Sequence, residues 1–222
     1  MVSYSPSEAR AALVRSLRSD IKDERVLEAF GRVPRERFVR EDLAAHAYED
    51  HPLPIGHGQT ISQPRMVALM LQELALKGDE RVLEVGTGSG YQAALLAELA
   101  AQVISVELVP ELAESARRVL AELAYNNVEV YVAGEELGWP SGAPYDAIVV
   151  AAASPRIPQS LADQLAPGGR LAIPVGTREG QDLMLAELRP EGPTVMRKGA
   201  CRFVPLLGRG AFAASVADAN SS

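Results

Sequence analysis

From Gly78 to about Gly180 the sequence alternates short apolar runs with amphipathic stretches, and this alternation restricts the fold more than any other feature. The runs Arg81–Val85, Gln102–Glu107, Val128–Val132, Asp146–Ala151 and Arg170–Val175 have the length of strands. Between them, Tyr91–Leu99, Pro110–Leu123 and Pro158–Leu165 carry apolar residues at helical spacing. Strand and helix in turn imply right-handed βαβ crossovers, because parallel neighbours cannot be joined by a tight turn. The expected fold is α/β: a doubly wound, Rossmann-like sheet, mostly parallel, with helices on both faces. Past Gly180 helical spacing stops, and Asp182–Leu188 followed by Thr194–Leu206 predicts antiparallel C-terminal edge strands.

The chain ahead of this region has a different texture. Ala11, Leu13, Val14 and Leu17 recur at helical spacing from Ser7 to about Arg18 behind a serine cap, and a second short helix is predicted for Asp23–Phe30. Between Val33 and Gln63, Pro34, Pro52, Pro54, Gly56 and Gly58 break every period, so an irregular segment is expected. Pro64, suited to a first helical position, opens a helix that carries Met66, Val67, Met70 and Leu71. At 222 residues the chain is read as one domain, 1–222: a helical and irregular segment, 1–77, a cofactor-binding core, 78–210, and a frayed small-residue tail, 211–222.

Composition limits the partners. With 22 basic and 29 acidic residues the net charge is −7, which argues against nucleic acid as a partner without excluding a local basic groove. No apolar run approaches the ~18 residues of a membrane span, and Glu8, Arg10, Arg15 and Arg18 interrupt any signal-like stretch. The single cysteine, Cys201, cannot form an internal disulfide, and with three scattered histidines no structural zinc site is expected. A cytoplasmic monomer, with no metal, is the expectation.

The stretch Val82-Leu-Glu-Val-Gly-Thr-Gly-Ser-Gly-Tyr91 is a strand running into a glycine cluster and then a helix. Ligands of doubly wound sheets bind at such strand ends. Tyr91 stands where a nicotinamide dinucleotide fingerprint wants glycine or alanine, and no phosphate-binding lysine follows. The spacing of Gly86, Gly88 and Gly90 after Glu84, with Thr87 and Ser89 between them, suits a nucleoside cofactor without a pyrophosphate, such as S-adenosyl-L-methionine. Glu107 ends the next strand about 20 residues on, the interval at which an acid meets ribose hydroxyls. Glu84 is a candidate cofactor residue too, although a strand-end carboxylate can simply accept hydrogen bonds from the loop. From the residues alone, Ser62 reads as a helix-start residue, with Gln63 at the cap before Pro64.

With Val33-Pro-Arg-Glu-Arg-Phe-Val39, Leu53-Pro-Ile-Gly56, Gly58-Gln-Thr-Ile-Ser-Gln-Pro64, the glycine loop, Tyr145-Asp-Ala-Ile-Val-Val150 and Phe203-Val-Pro-Leu206, the sequence resembles the protein-L-isoaspartate O-methyltransferases along nearly its whole length. The resemblance implies a Rossmann-like methyltransferase sheet. It also implies that Ser62 hydrogen-bonds the substrate carboxylate at the active site while Gln59 and Thr60 shape the loop. The acceptors would be isoaspartyl-containing proteins and peptides, and the product, S-adenosyl-L-homocysteine, would leave a methyl ester that closes to a succinimide. Three positions depart from the family pattern. Ala133-Gly-Glu-Glu-Leu-Gly-Trp139 replaces a Gly-Asp-Gly motif, so the adenine-facing acid is Glu135 if one residue is deleted, while Gly134 takes that position if register holds. Arg65 replaces an aromatic or histidine, and Ala151 replaces a threonine.

Such an acceptor is a carboxylate with an unperturbed pKa of about 3.5, already ionised at neutral pH. No general base is needed, which accounts for the lack of a His or Cys constellation: His46, His51 and His57 read as loop residues, Cys201 as an inert thiol, Trp139 as a packing anchor. Two other readings share the cofactor half: a small-molecule or RNA methyltransferase, and a catalytically silent cofactor-binding module.

Overall fold

The computed structural model describes residues 5–208 together with Ala211 and Phe212. The expected tail falls almost wholly outside the described residues. Helix α1, Pro6–Leu17, begins in a capping box in which Ser5 and Glu8 satisfy each other's backbone N–H groups. Helix α2, Glu24–Arg32, is capped by Asp23, whose carboxylate accepts from the Arg25 N–H at 2.9 Å. The segment expected to be irregular is more ordered than its composition suggests. Two 3-10 turns, Arg35–Phe38 and Glu41–His46, lead into a hairpin of β1, Leu53–Gly56, and β2, Gln59–Ile61. The reversal needs positive φ at three successive residues, Gly56, His57 and Gly58, and the two glycines that erased the strand pattern are what make the turn. Leu53 pairs with Ile61 across the hairpin, and both are buried. Helix α3, Pro64–Leu74, follows directly and stops at Ala75 in the left-handed conformation.

Strands β3 (Arg81–Val85), β4 (Gln102–Glu107), β5 (Val128–Val132), β6 (Tyr145–Val150), β7 (Leu165–Gly176), β8 (Gln181–Arg189) and β9 (Gly192–Cys201) form one sheet in the order β5-β4-β3-β6-β7-β8-β9. The pairs from β5 to β7 are parallel, and β7-β8-β9 are antiparallel, as expected from the loss of helical spacing. The chain winds outward in opposite senses from β3, so β4 and β6 flank it and leave a crevice at their carboxyl ends.

The two faces of the sheet are unequally furnished. Helices α1 to α3 pack with α4 (Tyr91–Ala97) and α5 (Pro110–Glu122) in a core that includes Val82, Val103, Ala147 and Val149. The other face, from Leu83, Ile104, Ile148 and Leu171, meets Leu137, Leu206 and the single turn α6, Gln159–Ala162. The longer helix predicted for Pro158–Leu165 is cut short because β7 starts at Leu165 and pairs with Tyr145 before a bulge resets the register at Arg170. Strand β9 ends at Cys201, earlier than the expected Leu206. Beyond it, Gln181 accepts from the Phe203 N–H, and Ala153 exchanges hydrogen bonds with Val204 and Leu206, so a strap crosses the end of β6. Pro205, which has no N–H for a ladder, was the signal for that departure.

Candidate functional site

A cleft open to solvent lies over the carboxyl ends of β3 and β4. Its walls come from the glycine loop, Glu107–Val109, the 133–138 turn, the β2 segment and the strap. Of the residues expected at the site, Gln59, Thr60, Ser62, Gly86, Thr87, Gly88, Ser89, Glu107 and Glu135 line it. Glu84 and Gly90 do not. A Cβ at Gly90 would sit 3.2 Å from Ala116 Cβ, so this glycine lets α5 pack against the start of α4. Gly86, at φ +96°, faces Ala151, and Gly88, at φ +54°, faces Ile55 of the hairpin.

Glu107 is buried, yet its carboxylate is part of the cleft wall. One oxygen accepts from the Gly88 N–H at 2.7 Å and the other from the Val109 N–H at 3.0 Å. Each oxygen keeps a second lone pair, so an immobilised acceptor for two hydroxyls is in place. Leu108, large, apolar and exposed, stands beside it in the same wall, and Gly134, Glu135 and Glu136 follow the rim. The Gly134 and Glu135 alternatives therefore occupy adjoining positions at one end of the cleft.

Glu84 lies fully buried beneath the loop on the α4 side of β3, because alternation along the strand turns it away from the cleft. Ser105 Oγ donates to Glu84 Oε2 at 2.5 Å and lies 2.5 Å from Thr87 Oγ1. Burial, with a smaller contribution from Glu107, pushes the Glu84 carboxyl up to about 8, so it holds a proton at neutral pH. A chain of three side chains thus links this acid to Thr87, which does line the cleft.

Thr60 and Ser62 also line a second cleft that shares Ala151 and Val204 with the first and is bounded by Met66, Cys201, Phe203, Arg178 and Arg202. The start of α3 explains how Ser62 is free to face these spaces. Gln63 occupies the cap position, but its amide donates to Asp50 Oδ2, and Asp50 Oδ1 accepts from the Arg65 N–H, both at 2.9 Å. Asp50, from a separate segment, does the capping, and the Ser62 hydroxyl makes no hydrogen bond among the described residues. Arg65 turns to Asp20 at 3.1 Å and lines neither cleft.

The remaining residues singled out have structural settings. His46 and His51 both pair with Glu49, His57 sits at the hairpin turn, and Trp139 stacks on Tyr131 at 4.3 Å between ring centres. Burial pushes the Cys201 thiol up to about 11, which keeps it protonated. Among the described residues no three His, Cys, Asp or Glu side chains gather as a metal site. Sequence reasoning missed the strap, Val204–Gly208, as a cleft wall, and missed Asp50.

A doubly wound sheet with a glycine loop after β3, an acid ending β4 and no phosphate lysine defines an S-adenosylmethionine-dependent methyltransferase. Residues 8–211 match the model of the protein-L-isoaspartate(D-aspartate) O-methyltransferase family, and the chain belongs to that family. It is 53% identical over 209 residues to protein-L-isoaspartate O-methyltransferase 1 of Syntrophobacter fumaroxidans, covering 94% of this chain and 98% of the relative. It is 56% identical over 196 residues to the Myxococcus xanthus protein-L-isoaspartate O-methyltransferase, covering 86% and 92%. Among solved structures, a protein-L-isoaspartate O-methyltransferase superposes with a TM-score of 0.82 at 29% identity, covering 91% of this chain and 67% of that one. A candidate enzyme of the same kind from Plasmodium falciparum, in complex with S-adenosyl-L-homocysteine, gives 0.76 at 28% identity, covering 87% and 95%.

Proposed function

We propose that the chain methylates the free α-carboxylate of L-isoaspartyl residues in damaged proteins and peptides, with Ser62 orienting the acceptor. The observation that carries this reading is the wall shared by the two clefts: Thr60 and Ser62 border both the space over the glycine loop and the space beside Phe203. Bound in the first cleft, S-adenosylmethionine supplies an electrophilic methyl group on a sulfonium. Glu107 holds the ribose hydroxyls, the backbone of Gly86–Ser89 approaches the ligand closely, and Glu135 serves the adenine end. Glu84 acts from below, through Ser105 and Thr87, and Gln59 and Thr60 shape the acceptor loop. Because the acceptor arrives ionised, the protein's own task is to hold it in line and to strip its hydrating water. The apolar strap and Ala151 serve the second purpose. The ester formed then closes to a succinimide as the backbone nitrogen displaces methanol, and water opens the ring partly to aspartate.

The chain acts as one domain, residues 1–77 supplying the acceptor side and 78–210 the cofactor side. It works as a cytoplasmic monomer that takes no nucleic acid. The net charge of −7 supports the exclusion of nucleic acid, the single half-buried cysteine supports the compartment, and the small extent of exposed large hydrophobics, among the described residues only the neighbours Leu108 and Val132 and the pair Val195 and Met196, supports the monomer. Among the described residues no helix is long and apolar enough to cross a membrane.

Two peptides identical except for isoaspartate or aspartate at one position have equal charge, and labelled S-adenosylmethionine should methylate the first by orders of magnitude faster. Structured RNA and small carboxylic acids serve as competing acceptors. Equal labelling of both peptides, or labelling of RNA alone, would leave only the cofactor half of this reading standing.

A further inference from the structure

We propose that Arg35 is a positioning residue for methyl transfer: its guanidinium fixes the peptide unit that carries Ser62 and ties it, through Tyr91, to the end of the glycine loop. This rests on the assignment of Ser62 to the acceptor. Arg35 is 0% exposed and, among the described residues, forms no salt bridge, with Asp50 acting on it only at longer range. Its Nε donates to the Ala47 carbonyl at 2.7 Å and its Nη2 to the Ser62 carbonyl at 2.9 Å. Its Cζ lies 4.7 Å from the centre of the Tyr91 ring and its charge acts on the Tyr91 hydroxyl, yet among the described residues neither Nη1 nor that hydroxyl makes a hydrogen bond of good geometry.

A buried cation with an unmet donor is an expensive way to fill space, since an apolar side chain would pack there without desolvating a charge. What an apolar side chain could not do is hold two carbonyls from separate segments in one plane. The guanidinium fork does this. Burial lowers the guanidinium from its ordinary value, which is so high that the group stays charged, and it pushes the Tyr91 phenol up to about 12, so the ring faces the cation as a neutral π-surface.

Tyr91 is the first residue of α4, directly after Gly90, and it also packs edge-on against Phe30 and Phe38. Arg35 therefore sits where the acceptor hairpin, the 3-10 turns and the cofactor loop meet. Among the described residues the Ser62 hydroxyl has no hydrogen bond of its own to fix it, so its position is set by its backbone, and Arg35 holds that backbone. Asp50 holds Gln63 and Arg65, the two residues that flank Pro64.

The test is a double-mutant cycle of Arg35→Lys and Ser62→Ala, with kcat and KM measured on the isoaspartyl peptide. Rates are counted per site competent to bind S-adenosylhomocysteine, so loss of fold does not count as loss of rate. Arg35→Lys keeps the charge but loses the fork, and kcat should fall by about 10- to 100-fold, the scale of a misplacement near 1 Å. KM and S-adenosylhomocysteine affinity should stay within about twofold. In the Ser62→Ala background the same change should lower kcat by less than about threefold, because the group it positions is gone. If Arg35→Lys fails to fold, Arg35→Gln, which can still donate to one carbonyl, takes its place in the cycle. An unchanged kcat per competent site, or a loss equally large with and without Ser62, would overturn the role of Arg35 alone. A normal kcat in Ser62→Ala would instead overturn the Ser62 assignment, and this inference with it.

Discussion

The wall proposed to face the cofactor and the wall proposed to face the acceptor are built by different means. The first comes from one continuous unit, β3, the glycine loop, α4 and β4, in which Glu107 is clamped by backbone N–H groups of Gly88 and Val109. Its geometry follows from backbone conformations that glycine alone adopts easily. The second is assembled from the β2 segment and the strap after β9, with Arg35 and the 47–50 turn bracing the β2 segment from behind. The Arg35 and Asp50 side chains tie this brace to the β2 segment, while backbone hydrogen bonds to Ala153 and the Gln181 side chain hold the strap. The cofactor wall should thus tolerate few backbone changes, whereas the acceptor wall should lose turnover to side-chain changes that leave cofactor binding untouched.

The sharpest break of this contrast is Gly88→Val. A branched side chain at φ +54°, aimed at Ile55 Cδ1 3.3 Å from the would-be Cβ, should abolish S-adenosylhomocysteine binding by calorimetry while the far-ultraviolet dichroism stays folded. Unchanged affinity would remove the loop from the site. Ser62→Ala should follow, with turnover falling at least tenfold, cofactor affinity unchanged and the melting temperature unmoved. A serine acting as helix cap would show the reverse. Glu107→Ala should weaken cofactor binding by about 1–3 kcal/mol, the range for hydrogen bonds to a charged group, and Glu135→Ala by less. Normal binding by Glu135→Ala would point to Gly134 at the adenine end.

Glu84 gives a pH test within the cofactor wall. Its folded-state pKa, about 8, lies above the unfolded value of 4.5, so between these values the native chain retains a proton that the unfolded chain releases. Its contribution to stability is full below about pH 4.5 and is lost as pH rises toward 8. Glu84→Gln removes this dependence, and the melting-temperature difference, variant minus parent, should become more positive from pH 5 to pH 8. A constant difference would mean that the buried carboxyl is ionised throughout. The smallest effect belongs to Asp50→Ala, about 1 kcal/mol of stability from the lost cap, read by chemical denaturation.

The alternation after Gly78, the glycine spacing and the acid at the end of β4 were legible because each depends on residues near one another in the chain. Period, turn chemistry and strand-end position are local properties, and they carried the parallel sheet, its antiparallel edge and the positions of Gly86, Gly88 and Glu107. Glu84 shows the limit within that same unit: it is two residues from Gly86, but the strand's twofold alternation, set by which face packs on α4, turns it beneath the floor. The hairpin was hidden because its glycines remove the alternation that identifies strands. Asp50 as the cap of α3, Arg35 as the brace of Ser62, and Val204–Gly208 as a wall of the cleft were decided by tertiary structure alone. Each joins segments far apart in sequence through single side chains or a strap leaving the sheet, and no local pattern records which carbonyl a distant guanidinium will reach.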